Sequence, residues 1–127
     1  MADDIVLSDL QYDLMRVLWQ AGELSVADAT AALAERDLAH TTVATLLTRL
    51  EKRGVVAARR DGRMLLYRPC VSEAQVRRNM VSSLIAQVFR GDPKALLAHL
   101  ISEREVAPGD LEQVRALLRR DDEEKAQ

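Results

Sequence analysis

Residues 39–69, AHTTVATLLTRLEKRGVVAARRDGRMLLYRP, decide the fold. Val43, Leu46, Leu47 and Leu50 recur there at i, i+3, i+4 and i+7, which predicts a helix with one buried stripe that opens around His40-Thr41 and runs to Arg53. A threonine hydroxyl at its start can accept from the first free backbone amides, and Gly54 supplies a C-terminal cap. Off the stripe lie Thr41, Thr42, Ala44, Thr45, Thr48, Arg49 and Lys52. A merely solvated face usually carries Glu and Lys. Short Thr and Ala side chains instead let a helix approach base edges, with Thr methyls able to touch thymine.

After this helix, Val55–Arg60 and Met64–Pro69 flank Asp61-Gly62, which reads as a β-hairpin because Asp-Gly is among the strongest turn signals. Arg59, Arg60 and Arg63 flank the tip. From Ala39 to Pro69 the basic residues are Arg49, Lys52, Arg53, Arg59, Arg60, Arg63 and Arg68, against Glu51 and Asp61, so the stretch is +5 (7 minus 2). The rest of the chain is −7 (11 minus 18), which returns the net −2. A basic stretch in an otherwise acidic chain is a footprint suited to phosphate.

Upstream, Ser8 caps a first helix with Leu10, Leu14, Val17 and Leu18 on its apolar face, ended by Ala21-Gly22. Beyond the connection Glu23-Leu24, Ser25 caps a second, short helix with Val26, Ala29, Ala32 and Leu33 on one face, ending near Arg36-Asp37. Three short helices followed by a basic hairpin is the order of a winged helix-turn-helix. Downstream the chain becomes wholly helical. Ser72-Glu73-Ala74-Gln75 has the capping-box form, and Val76, Met80, Leu84 and Val88 follow at spacing four. Asp92-Pro93 opens a helix with Leu96, Leu97, Leu100 and Ile101, and Pro108 precedes a last helix with Leu111, Val114, Leu117 and Leu118. The charged tail from Asp121 to Lys125 reads as a solvated end.

The predicted architecture is therefore mainly α with a small β-hairpin wing, divided into a DNA-binding domain over residues 1–70 and a three-helix dimerisation domain over 71–127. Three amphipathic helices in so few residues hardly enclose an aliphatic core, and a second copy of the chain supplies the missing surface. Met80, Leu84, Val88, Phe89, Leu96, Leu97, Leu100, Leu111, Val114 and Leu118 are the expected dimerisation residues. The alternative is that these helices fold back onto the winged domain.

Composition agrees with a small folded protein. The chain has 127 residues, of which 48% are hydrophobic and 3% aromatic, so its core is aliphatic. No apolar run approaches the roughly 20 residues of a membrane helix, and Asp3 and Asp4 stand where a signal peptide is basic. A cytoplasmic protein without membrane association is expected. Cys70 is the lone cysteine and reads as a small, half-buried side chain.

These motifs, in this order, resemble the penicillinase repressor family, the BlaI/MecI/CopY type of bacterial winged-helix regulators. The resemblance is carried by Leu18-Trp19, the run from Ala39 to Leu50, Lys52-Arg53-Gly54, Gly62-Arg63, Tyr67-Arg68-Pro69, Val71-Ser72 and Phe89-Arg90-Gly91. It implies an N-terminal DNA-binding domain, a helical dimerisation domain, and repression by a homodimer on a palindromic double-stranded operator. It places Thr41, Thr42, Thr45 and Arg49 on the DNA-reading helix and Arg63 in the wing. Ala44, Thr48, Lys52, Arg59 and Arg60 complete the expected DNA-binding set, the basic ones mostly on phosphate. Family members induced by a sensor protease are cut at an Asn-Phe bond. The matching positions here are His99-Leu100, so that cleavage does not carry over, and the inducing signal and any sensor or protease partner stay open. Copper-responsive members carry a C-terminal cysteine cluster that this chain lacks.

No cofactor and no metal site is expected: His40 reads as a solvated residue at a helix start, against a role in pH sensing or DNA contact, and His99 has no companion at ligand spacing. No nucleophile elbow, phosphate-cradling glycine loop or paired acid and base indicates an enzyme. The rival reading is a winged-helix protein-interaction module that uses the same helix face and wing without specific DNA binding.

Overall fold

A computed structural model describes residues 5–107 and 109–126. The acidic start at Asp3-Asp4 and the Pro108 start signal lie outside the described residues. Two compact units divide the chain, residues 1–83 and 84–127.

In the first unit, α1 spans Asp9–Ala21 and opens with a complete capping box: the Ser8 side chain accepts from the Gln11 amide, and the Gln11 side chain accepts from the Ser8 amide at 2.9 Å. A two-residue strand β1, Leu24–Ser25, leads into α2, Val26–Ala32, where Ser25 Oγ accepts from the Asp28 amide. A single 3₁₀ turn, Ala34–Arg36, and Asp37 in the left-handed region redirect the chain into α3, His40–Lys52. Contrary to the sequence reading, α3 begins behind Ala39 with no side-chain cap. Thr41 lies inside the first turn, past the cap position that Ala39 occupies.

The strands β2, Val56–Asp61, and β3, Met64–Pro69, form the wing, with Ala58 opposite Tyr67 and Asp61 opposite Met64. The turn therefore lies one residue later than Asp61-Gly62: Gly62 and Arg63 are its two central residues and Asp61 closes the strand. Gly62 has φ +63 while Arg63 is not among the positive-φ residues, the pattern of a type II′ loop with glycine first. The sequence predicts two strands. The sheet has three in the order β1-β3-β2, because Leu24 and Ser25 pair with Tyr67 and Leu66. The wing is thus stitched to the start of α2.

The core of this unit is aliphatic: Leu14, Met15, Leu18, Ala29, Val43, Leu47, Leu50, Val55 and Val76 are fully buried, ringed by Ile5, Leu7, Val56, Tyr67 and Val71. At about 1.5–3 kcal/mol for each large apolar side chain removed from water, these residues dominate its stability. An ion cluster on the surface fastens α1 to the turn before α3, where Arg36 donates through Nε to Asp13 at 2.8 Å and through a terminal nitrogen to Asp9 at 3.1 Å.

Helix α4, Glu73–Val88, begins behind Ser72, whose hydroxyl accepts from the Gln75 amide. Its first half belongs to the winged unit. Val76 lies wholly in that core and Met80 packs against it, Trp19 Nε1 donates to the Val71 carbonyl at 2.8 Å, and Tyr12 donates to Glu73 at 3.3 Å. The division of the chain falls after Ser83, so residues 71–83, expected with the C-terminal segment, pack with the winged unit. Cys70 is exposed, not half-buried, because it stands just past the end of β3, outside the sheet.

In the second unit, α5 spans Pro93–Ser102 behind the Asp92 cap and α6 spans Asp110–Ala126. The charged tail expected to be a solvated end is the last turns of α6. The rings of Phe89 and His99 meet at 5.8 Å between centroids. No described side chain from Leu84 onward is buried: Leu84, Val88, Leu97, Ile101, Leu111, Val114, Leu117 and Leu118 are all exposed, while Leu96 and Leu100 are half-buried.

Candidate nucleic-acid interface

Helix α3 is anchored by Val43, Leu47 and Leu50, all fully buried. At 3.6 residues per turn, Thr41, Thr45, Thr48 and Lys52 fall within an arc of about 60° on the opposite side. Thr42 and Arg49 flank that arc on one side and Ala44 on the other. All are exposed except Ala44, which is half-buried. Leu46, expected on the buried stripe, is only partly covered. Together with Thr41, Thr42, Thr45 and Arg49 it lines a shallow hollow of about 250 Å³ along the helix.

A second hollow, of about 300 Å³, is formed where the wing meets the starts of α2 and α3, between Ser25, Val26, Ala27, His40, Arg63, Met64 and Leu65. It sets Arg63 beside the N-terminal end of α3, because β1 draws β3 toward α2. The sequence reads His40 as a solvated residue and Ser25 and Val26 only as the start of the second helix, with none of them beside the wing. Their placement beside the wing is a product of strand pairing over forty residues and leaves no local signal.

The arginines of the basic stretch differ in freedom. Arg59 and Arg60 lie on opposite faces of the edge strand β2, since their partners Leu66 and Leu65 are consecutive on β3. Arg59 forms a two-pronged pair with Glu23, at 2.8 and 2.6 Å. This bond holds the Glu23 carboxyl below its ordinary range, with the nearby Arg68 adding to the effect, and raises the Arg59 guanidinium in turn. Arg53 donates to the Val6 carbonyl at 3.0 Å. Arg60 and Arg63 are exposed at the hairpin end, and Lys52 is exposed at the end of α3. The structure thus brings Thr41, Thr42, Thr45, Thr48, Arg49 and Lys52 onto one face and Arg63 beside it. Arg59 is engaged elsewhere, by Glu23 in the connection after α1.

Among the described residues no helix is long and apolar enough to cross a membrane, and no group of His, Cys, Asp and Glu is placed to hold a metal ion.

A family model described as penicillinase repressor matches residues 7–120. The chain is 36% identical over 98 residues to the transcriptional regulator BlaI of Mycobacterium tuberculosis, covering 75% of this chain and 71% of that one. It is 22% identical over 113 residues to the methicillin resistance regulatory protein MecI of Mammaliicoccus sciuri, covering 88% and 92%. Among solved structures, the oxidized form of MarR from E. coli matches with a TM-score of 0.52 at 13% identity, over 90% of this chain and 74% of that one, a likeness of fold. The match over most of its length places the chain, as a member, in the penicillinase repressor family, a family of winged-helix transcriptional repressors and not of enzymes.

Proposed function

We propose that the chain represses transcription in the cytoplasm as a homodimer, laying α3 of each protomer into successive major grooves of a palindromic operator about 10 base pairs apart. The observation that carries this reading is the face of α3. It is threonine-lined, bears Arg49 and Lys52, has no carboxylate on its central arc, and adjoins the wing arginine Arg63. Thr41, Thr42, Thr45, Thr48, Ala44 and Arg49 would face base edges, while Lys52, Arg60 and Arg63 would meet phosphates. Arg59 contributes to the field of the wing but is held by Glu23.

Dimerisation is assigned to the helical segment from Leu84 onward. Its support is the absence of any buried side chain among the described residues there, while eight large apolar ones are exposed. A segment that closes no core of its own gains stability by covering that surface with a second copy. Phe89, Leu96 and Leu100 belong to the same proposed surface, whereas Met80 is already occupied by the winged core.

The test is a gel shift on DNA upstream of the chain's own gene, with scrambled competitor and the double variant Thr42→Ala, Arg63→Ala. The expected result is a competitor-resistant shift that the double variant loses. With Lys52, Arg60 and Arg63 on phosphates in each protomer, log K falls against log salt with a slope of about −5. Failure to shift this or neighbouring promoters at moderate salt would favour the protein-interaction reading.

A further inference from the structure

We propose that α3 selects its operator through the methyl groups of Thr45 and Thr48, which read the C5-methyl of thymine, and that their hydroxyls donate nothing to DNA. The inference rests on the DNA-reading role proposed above and names the chemistry of that reading.

Thr45 Oγ1 donates to the Thr41 carbonyl and Thr48 Oγ1 to the Ala44 carbonyl, each at 2.9 Å. A hydroxyl has one proton, and here both protons are directed at the helix's own backbone. In the major groove the acceptors are N7 and O6 of guanine, N7 of adenine and O4 of thymine, and each needs a donor that these side chains have spent. Both residues are exposed and lie on the arc opposite the buried stripe. What each has left to offer is a methyl group and oxygen lone pairs.

Three residues along a helix advance about 4.5 Å, close to the roughly 3.4 Å step between base pairs. The two methyls are therefore spaced for neighbouring pairs, and the ligand class they fit is a pair of adjacent 5-methylpyrimidines. Arg49, on the flank of the same arc, is a side chain that can donate to guanine.

The experiment uses the full-length protein and the operator found by gel shift, with thymine replaced by uracil one half-site position at a time. Uracil lacks only the methyl. Each contacted position loses about fourfold in affinity, and two together lose tenfold or more. Thr45→Ser keeps the hydroxyl bond to the backbone and removes the methyl, so it binds thymine DNA as weakly as the parent binds uracil DNA and no longer distinguishes the two at one position. Thr45→Val keeps a methyl and removes the lone pairs, so it retains the parent's preference for thymine.

Equal affinity for thymine and uracil operators, with scrambled DNA still failing to compete, would overturn methyl reading while leaving the DNA-binding role intact. A Thr45→Val variant that loses binding while Thr45→Ser retains it would overturn it in favour of lone pairs accepting from a base amino group. Absence of specific binding to either DNA would remove the DNA-reading role itself, and this proposal with it.

Discussion

Replacing Val76 by alanine tests whether the first half of α4 is part of the winged unit. Val76 is fully buried, three residues into a helix that sequence patterning continues without a break to Val88. Removing its two methyl-sized groups forfeits about 1.6 kcal/mol of transfer free energy, and incomplete collapse of the site brings the loss to about 2–3 kcal/mol. For a unit of this size that lowers Tm by about 10–15 °C, or the urea midpoint by about 1–2 M. The assay is urea unfolding followed by Trp19 fluorescence. Trp19 is the single tryptophan, lies within the same unit, and is bonded to the Val71 carbonyl just before α4. Val81→Ala is the control, since Val81 is 44% exposed on the same helix and its truncation should change stability by less than about 0.5 kcal/mol. If Val76→Ala left the Trp19 transition within error of the parent, the assignment of residues 71–83 to the winged unit would be refuted.

Three further outcomes are expected. In Gly62→Ala a Cβ meets nothing within 4 Å but is forced to φ +63, so the wing loses about 1–2 kcal/mol by backbone strain alone, measurable by amide exchange in β2 and β3. Glu23 has a lowered carboxyl pKa in the fold, so its contribution is present above its ordinary value of 4.5 and fades as the pH falls through the folded value. Glu23→Gln should therefore flatten the acid side of the stability-pH curve below about 4.5, and an unchanged acid limb would count against the Arg59 pair. Finally, Leu97→Asp with Leu118→Asp places charges on the exposed apolar surface of the second unit. Sedimentation should show monomers, with operator affinity down at least about 100-fold as the second half-site contact becomes bimolecular, and dimers that persist would shift the interface elsewhere.

Local chemistry announced most of the fold. Ser8, Ser25, Ser72 and Asp92 each cap the helix expected of them, and the spacing of Val43, Leu47 and Leu50 placed α3 to within a residue. The face proposed for DNA was legible in its exposure, because all the named residues off that stripe except the half-buried Ala44 are exposed. What escaped depends on partners distant in sequence. Two residues make β1 only because β3 is there to pair with, and nothing in Glu23-Leu24 reveals that Arg59 will lie across the sheet. Val76, Met80, Leu84 and Val88 form one continuous stripe, and a stripe does not say which neighbour covers which part of it. The charged end of α6 shows the converse: a fully exposed helix needs no apolar periodicity, so its charges read as a tail.

The turn of the wing has a consequence for how such a protein diversifies. Gly62 takes the backbone conformation that side-chain-bearing residues avoid, and Arg63, next to it, carries no such restriction. Selection can therefore exchange the residue at position 63 for almost any other without disturbing the hairpin, and the sheet behind it stays constant while the fingertip varies. Paralogues that share this framework can drift apart in the sequences they prefer beside the operator core by single codon changes at one site, with little penalty in folding to filter them. Gly62 is fixed by its backbone, whereas the residue beside it is constrained only by what its side chain touches.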